Sequence, residues 1–122
     1  MAIRSRLVAL GVLGFCIVAA TSVVADDWPQ WRGPNRNGIS AETNWNWNWN
    51  QRSPQTLWSK KLGVGCSAVA VQGGKLFTMG NNGRQDIVYC LDPRNGDVMW
   101  TQQYDAPKDP KNFDGGPGGT PA

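Results

Sequence analysis

The chain has 122 residues, with 12 basic and 9 acidic side chains, a net charge of +3, and no histidine. The absence of histidine excludes Ser-His-Asp and Cys-His catalysis and histidine-ligated metals from anything these residues do alone. Like charges form no block along the chain, so neither a nucleic-acid footprint nor a polybasic membrane patch is expected.

Residues 1–25 have the pattern of a secretory signal peptide. Arg4 and Arg6 precede an almost wholly apolar run over residues 7–24, which ends in small residues before Asp26. An uncleaved membrane anchor is the alternative, because the run approaches the ~18 residues that could span a bilayer. The small residues favour cleavage after Ala25.

Cleavage would leave 97 of the 122 residues, with 10 basic and 9 acidic side chains. No membrane-spanning segment would remain, and the product would be secreted or periplasmic. Cys66 and Cys90 would then meet an oxidising compartment. However, they fall on the first and third strands predicted below, about 9 to 10 Å apart at ~4.8 Å per strand, which is beyond the reach of a disulfide.

Residues 26–55 form an irregular leader rich in Trp, Asn and Pro. Its first part, residues 26–44, has neither helical nor strand periodicity. Trp28 and Trp31 are expected to anchor it on a core, because aromatic side chains dominate burial energetics. Stacking on a sugar or base, together with Arg32, is the alternative.

Three tryptophans then alternate with asparagines. As a strand, this segment would place Trp45, Trp47 and Trp49 on one face about 6.7 Å apart, as a ladder for stacking a glycan or a single-stranded polymer. A low-complexity loop is the other interpretation, and biased composition favours it. These three residues are the candidate ligand-stacking residues that we name.

A short strand is predicted over residues 56–62, with Trp58 in its middle. The next six residues, from Gly63 to Ala68, match the G-x-G-x-x-A dinucleotide fingerprint. That motif must open a helix. Here Gly73 and Gly74 stop the segment within a few residues, so a cofactor loop is not expected.

Residues 65–104 combine β-forming runs with turn residues at every break. Strands are predicted over residues 67–71, 75–79, 86–91 and 97–104. Connections of this length are too short for crossover helices, so neighbouring strands must be antiparallel. The cysteines of this stretch are expected in the core and its aspartates at turns.

Both faces of this sheet are apolar. In the third strand, for example, Ile87, Tyr89 and Leu91 alternate with Val88 and Cys90, whereas a sheet with one wet face would alternate apolar with polar residues. The sheet is therefore expected to be covered on both sides, as each blade of a β-propeller is by its neighbours. The predicted fold class is all-β: one four-stranded blade, a preceding strand and the leader.

A repeat supports this prediction. Trp58 and Trp100 lie 42 residues apart in similar contexts, and propeller blades repeat every ~40 to 45 residues. Residues 105–122 are predicted to hold an inter-blade loop and the start of a next blade.

The blade motif resembles the pyrroloquinoline-quinone-like (PQQ-like) β-propeller repeat family, which includes BamB-like proteins of the bacterial envelope. The resemblance lies in a small-residue strand entry, then Gly-Lys-Leu-Phe, Val-Tyr-Cys-Leu-Asp and Asn-Gly-Asp-Val-Met-Trp, over residues 67–69, 74–77, 88–92 and 95–100. The segment DWPQWRGPNRNGIS, which ends at Ser40, looks like the leader of secreted bacterial members.

The resemblance implies a ring of about seven or eight blades, which needs some 300 residues at ~40 to 45 per blade. The chain would then be the amino-terminal part of a longer protein: residues 56–62 would close the ring, residues 65–104 would be one blade, and other blades would be its partners.

The resemblance also leaves more than one function open. Quinoprotein dehydrogenases of this kind use an aspartate, a calcium ion and adjacent cysteines around the cofactor. Cys66 and Cys90 are not adjacent, and the turn from Asp92 to Asp97 has a basic residue and a glycine where calcium ligands are needed. We therefore assign no catalytic, cofactor-binding or metal-binding residue in this chain.

The expected function is a non-catalytic scaffold that binds a protein or polysaccharide of the cell envelope, and not nucleic acid. One alternative is a fragment of a quinoprotein alcohol dehydrogenase whose catalytic blades lie beyond Ala122; only then are PQQ and calcium expected. The other is glycan binding through the tryptophan ladder.

Overall fold

A computed structural model describes residues 25–43, 45–109, 111 and 114–122. Over these ranges the chain is all-β, with no helix and four strands in one sheet. The strands are β1 (Ala70–Gln72), β2 (Lys75–Asn81), β3 (Gln85–Leu91) and β4 (Val98–Asp105). They lie side by side in chain order, and each pair is antiparallel. The predicted four-stranded antiparallel sheet is confirmed; the predicted signal peptide lies, except for Ala25, outside the described residues.

The first strand is shorter than predicted. Val64 already pairs with Asn81 of β2 as an isolated bridge, but pairing resumes only at Ala70. Between them the backbone leaves the sheet, because the N–H of Cys66 donates to the carbonyl oxygen of Pro117 at 2.9 Å. The other three strands begin and end within two residues of the predicted bounds.

Each connection has local turn chemistry. Gly73 and Gly74 join β1 to β2 with φ of +55° and +69°, as the tight two-residue hairpin turn with two positive φ angles requires. In the β2–β3 turn, the side-chain oxygen of Asn82 accepts hydrogen bonds from the backbone N–H groups of Arg84 and Gln85. These side-chain bonds replace backbone pairing where the chain reverses.

The fully buried apolar core is small, and apolar residues lie on both faces of the sheet. Ala70, Cys90 and Leu91 are the buried hydrophobic residues of the described chain. The strand register places Phe77, Cys90 and Trp100 on one face, which we call the first face. Neither side is fully covered, since Trp100 is 46% exposed there and Val98, which pairs with Leu91 on the other face, is 42% exposed.

The leader covers the β1 edge of the sheet. Trp28 and Val71 exchange two backbone hydrogen bonds of 2.8 and 2.9 Å, and the carboxylate of Asp27 accepts from the N–H of Gly73. Trp28 is half-buried over Gly33, as an anchor should be. The predicted anchor Trp31 is wrong: it is 66% exposed, because the tight turn at Gly33 leaves it facing outward.

Residues 56–62 form no strand in the described chain. The carbonyl oxygen of Leu62 instead lies against Gly80 of β2, where an added Cβ would overlap it. The predicted role of residues 56–62 in closing the ring stays a prediction, because a ring-closing strand would pair with a blade other than this one.

Candidate interaction surfaces

Trp45, Trp47 and Trp49, which we call the loop tryptophans, are exposed to 64%, 77% and 58%. Their segment is a loop that ends in a turn, not a strand, so the regular ladder does not form. The indole Nε1–H of Trp49 donates to the carbonyl oxygen of Asn46 at 2.8 Å, and the Asn46 amide donates to that of Arg52 at 3.1 Å. The side chain of Asn46 thus bonds to the backbone of its own loop, while the three indoles stay exposed.

A groove of about 280 Å³ lies on the first face of the sheet. The rings of Phe77 and Trp100 lie 6.0 Å apart at its floor, tilted by 50°. Ala70 and Val88 add to the floor, and Pro121 and Ala122 of the last described segment border it. Part of the residue 105–122 segment therefore already lies against this face.

Trp58 docks on the turn between β3 and β4. Its indole Nε1–H donates to the carbonyl oxygen of Pro93 at 2.8 Å, across 35 residues. Its ring lies flat against Gly96, where an added Cβ would come 2.5 Å from Cε3. Gly96 also has a φ of +74°, a conformation that L side chains rarely adopt. A glycine is therefore needed at position 96 for two reasons: the turn requires a positive φ, and the indole of Trp58 leaves no room for a Cβ.

Sequence reasoning missed this contact. It treated Trp58 as a strand residue and Gly96 as a turn residue only. The 42-residue spacing of Trp58 and Trp100 could have indicated it, because two tryptophans at that spacing would serve equivalent roles in successive units.

The turn from Asp92 to Asp97 is closed by its own hydrogen bonds. The N–H of Gly96 donates to the Asp92 carbonyl oxygen at 2.8 Å, and the Arg94 Nε–H donates to the Asp92 carboxylate at 2.9 Å. The hydrogen bonds and charge of Arg94 lower the pKa of Asp92 from 3.8 to about 2. Arg94 thus stands where a cation would have to bind. The described residues contain no group of three or more His, Cys, Asp or Glu side chains that could hold a metal ion.

A buried polar network ties the far end of the sheet together. Asp86, which begins the predicted third strand but was expected to be a turn residue, lies within β3 and is only 9% exposed. Asn81 of β2 donates to its carboxylate at 2.7 Å and to the carbonyl oxygen of Ala106 at 2.8 Å. The hydroxyl of Tyr104 on β4 donates to the same carboxylate at 3.3 Å. Burial, together with the charge and hydrogen bond of Asp86, raises the pKa of Tyr104 above 10.0. The network is internally satisfied and joins three strands.

The two cysteines lie in different environments, and both are free thiols. Cys90 is buried on β3, which confirms the expected core position. For Cys66 that expectation is wrong, because its backbone bond to Pro117 carries it out of the sheet and leaves the side chain exposed. The glycine-rich segment around it borders an open depression with Asp114.

None of the described residues belongs to a helix that could cross a membrane. Comparisons with protein-family models, with curated proteins and with solved structures each gave no match.

Proposed function

We propose that this chain contributes one blade to a secreted PQQ-like β-propeller, which acts as a non-catalytic scaffold binding a protein or polymer of the cell envelope. The observation that carries the proposal is the docking of Trp58 on the β3–β4 turn. Residues 63–104 then form a unit that receives Trp58 from the preceding segment at Gly96 and carries its own tryptophan, Trp100, for a following unit.

The second tryptophan has no such partner in the described chain. Trp100 is 46% exposed, and its ring lies 6.0 Å from that of Phe77 on the same sheet. A following unit would offer it a Gly96-like turn, and would cover the groove on the first face. Blades stacked in this way each bury the apolar surface of their neighbour.

Secretion fits the arrangement of the leader. The backbone nitrogen of Asp26 donates to the Glu42 carboxylate at 2.8 Å. Cleavage after Ala25 would turn that amide into a charged amino group, and so strengthen the bond to the carboxylate. Mass spectrometry of the exported protein should then show Asp26 as its first residue; a retained segment over residues 1–25 would contradict secretion by cleavage.

The scaffold interpretation is tested against the quinoprotein alternative by an activity assay. The protein expressed from its complete gene should show no dye-linked alcohol oxidation, with or without added PQQ and calcium. Oxidation that depends on both additions would overturn the scaffold and establish the dehydrogenase.

A further inference from the structure

The outer edge of the sheet is a long strand with a neighbour on one side only. β4 pairs with β3, and within the part of the chain that the structure describes no strand pairs with its other edge. All eight of its residues are exposed. The opposite edge, at β1, is covered by the leader through the Trp28–Val71 bridge. An open edge presents unpaired N–H and C=O groups that can pair with another chain.

β4 also lacks the features by which natural edge strands avoid such pairing. Proteins protect edges with lysines, prolines, inward-pointing charges or very short strands. β4 contains no basic residue and no proline, and its one charge, Asp105, is its last residue. A bulge opposite Cys90 and Leu91 disturbs only its first residues. The stretch from Trp100 onward is therefore a regular edge with one charge, at its last residue.

We propose that two copies of this chain pair antiparallel through β4, about a two-fold axis at Gln102. Such an interface uses the same surface twice, so the strand must be complementary to itself. In antiparallel pairing two opposed residues direct their backbone groups either both towards the neighbouring strand or both away from it, which restricts the axis to a residue and excludes positions between residues.

Charge selects among the allowed registers. An axis at Thr101 would set Asp105 opposite Asp97 of the second copy, twice, and like charges directly opposite are destabilising. An axis at Gln103 would leave only residues 101–105 of β4 paired. The axis at Gln102 opposes residues 99–105 with themselves and places Asp105 opposite Met99, which is uncharged.

Side-chain pairing supports the same register. Trp100 and Tyr104 lie on the first face, 46% and 49% exposed. The axis at Gln102 sets each Trp100 opposite Tyr104 of the second copy, and aromatic cross-strand pairs stabilise sheets. The dimer would be an eight-stranded sheet. This dimer does not depend on the propeller proposal, because pairing through the β4 edge leaves both faces of the sheet free to contact other blades.

The test is a charge swap at the axis. Sedimentation analysis of the secreted chain should show a dimer. The variants Gln102→Lys and Gln102→Glu each place two like charges in opposition and should weaken the dimer by about tenfold or more in Kd. Mixed together, they should form a heterodimer within about threefold of the wild-type Kd. A wild-type chain that is monomeric at about 100 μM, or Gln102 variants whose Kd equals that of the wild type, would overturn the proposal.

Thr101→Lys and Thr101→Glu are the matched controls. In the proposed register residue 101 faces Gln103 of the second copy, so each variant alone should change the Kd by less than about threefold. Loss of the dimer in both single variants, with rescue on mixing, would place the axis at Thr101 and overturn the register.

Cysteine cross-linking gives a second readout that does not depend on the charged variants, and so remains usable if one of them aggregates. In a Cys66→Ser background, Gln102→Cys should form a covalent dimer under oxidation much faster than Thr101→Cys. Equal rates at the two positions would mean contact without a defined register, and would contradict the proposal.

Discussion

The contact between Trp58 and Gly96 predicts that the substitution Gly96→Ala destabilises the chain through two separable effects. The first is conformational: Gly96 has a φ of +74°, and an L residue in the left-handed region costs about 1–2 kcal/mol. The second is steric: the new Cβ would come 2.5 Å from the indole of Trp58, and overpacking costs about 1–3 kcal/mol. Together the substitution should lower the free energy of unfolding by about 2–5 kcal/mol.

Gly74→Ala is the matched control for the first effect alone. Gly74 has a φ of +69°, close to that of Gly96, but an added Cβ there meets nothing within 4 Å. Its substitution should cost only about 1–2 kcal/mol. Urea unfolding followed by circular dichroism of the sheet gives both values.

A double-mutant cycle then isolates the steric effect. In a Trp58→Ala background the indole is absent, so Gly96→Ala should cost no more than Gly74→Ala does. The coupling free energy between residues 58 and 96 should be about 1–3 kcal/mol, in the range of residues in direct contact. Additive effects of Trp58→Ala and Gly96→Ala would refute the docking of the indole on this turn.

Three further predictions concern the other surfaces. Replacing all three loop tryptophans by alanine should reduce retention on an immobilised envelope glycan if the loop stacks sugars, and unchanged retention would remove glycan binding through this loop. The pKa of Asp92, read from carboxyl chemical shifts, should rise from about 2 towards 3.8 in Arg94→Ala. Because this folded-state pKa is lowered, the contribution of the pair to stability is present above pH 3.8 and is lost as the pH falls towards 2; a pKa that does not move would contradict the pairing. The phenol of Tyr104 should titrate above 10.0, so its contribution is present below that pH and is lost as the pH rises through its raised pKa. Asp86→Asn should lower that pKa, and an unchanged ultraviolet titration of the phenol would exclude the contact.

The strands were predictable because local signals agreed with one another. Gly73-Gly74 demands positive φ at two successive positions, and the runs on either side are dense in β-forming residues, so the hairpin of β1 and β2 follows from the sequence alone. The same holds for β3 and β4, where Asn95-Gly96 marks the turn.

Most of the exceptions depend on contacts distant in sequence. Cys66 was expected in a strand, but a hydrogen bond from 51 residues away, at Pro117, takes its backbone out of the sheet. Trp31 was expected to anchor the leader as Trp28 does, but Trp28 packs against Gly33 and is half-buried, whereas Trp31 is exposed. The burial of Asp86 was not predicted, because its partners Asn81 and Tyr104 lie on other strands. Periodicity carries no information about such partners.

The central claim is that residues 63–104, the blade with the two residues before it, are one unit of a ring, stabilised by its neighbours. Proteins made of one to four tandem copies of this 42-residue unit, preceded by residues 56–62 and followed by residues 105–122, test it most directly when the free energy of unfolding is measured against copy number. The proposal predicts that each added copy raises the free energy of unfolding by more than a lone copy provides, and that the tandem proteins unfold cooperatively, because each junction buries a tryptophan and a sheet face. Copies that unfold independently, with the free energy per unit unchanged by the presence of neighbours, would contradict it.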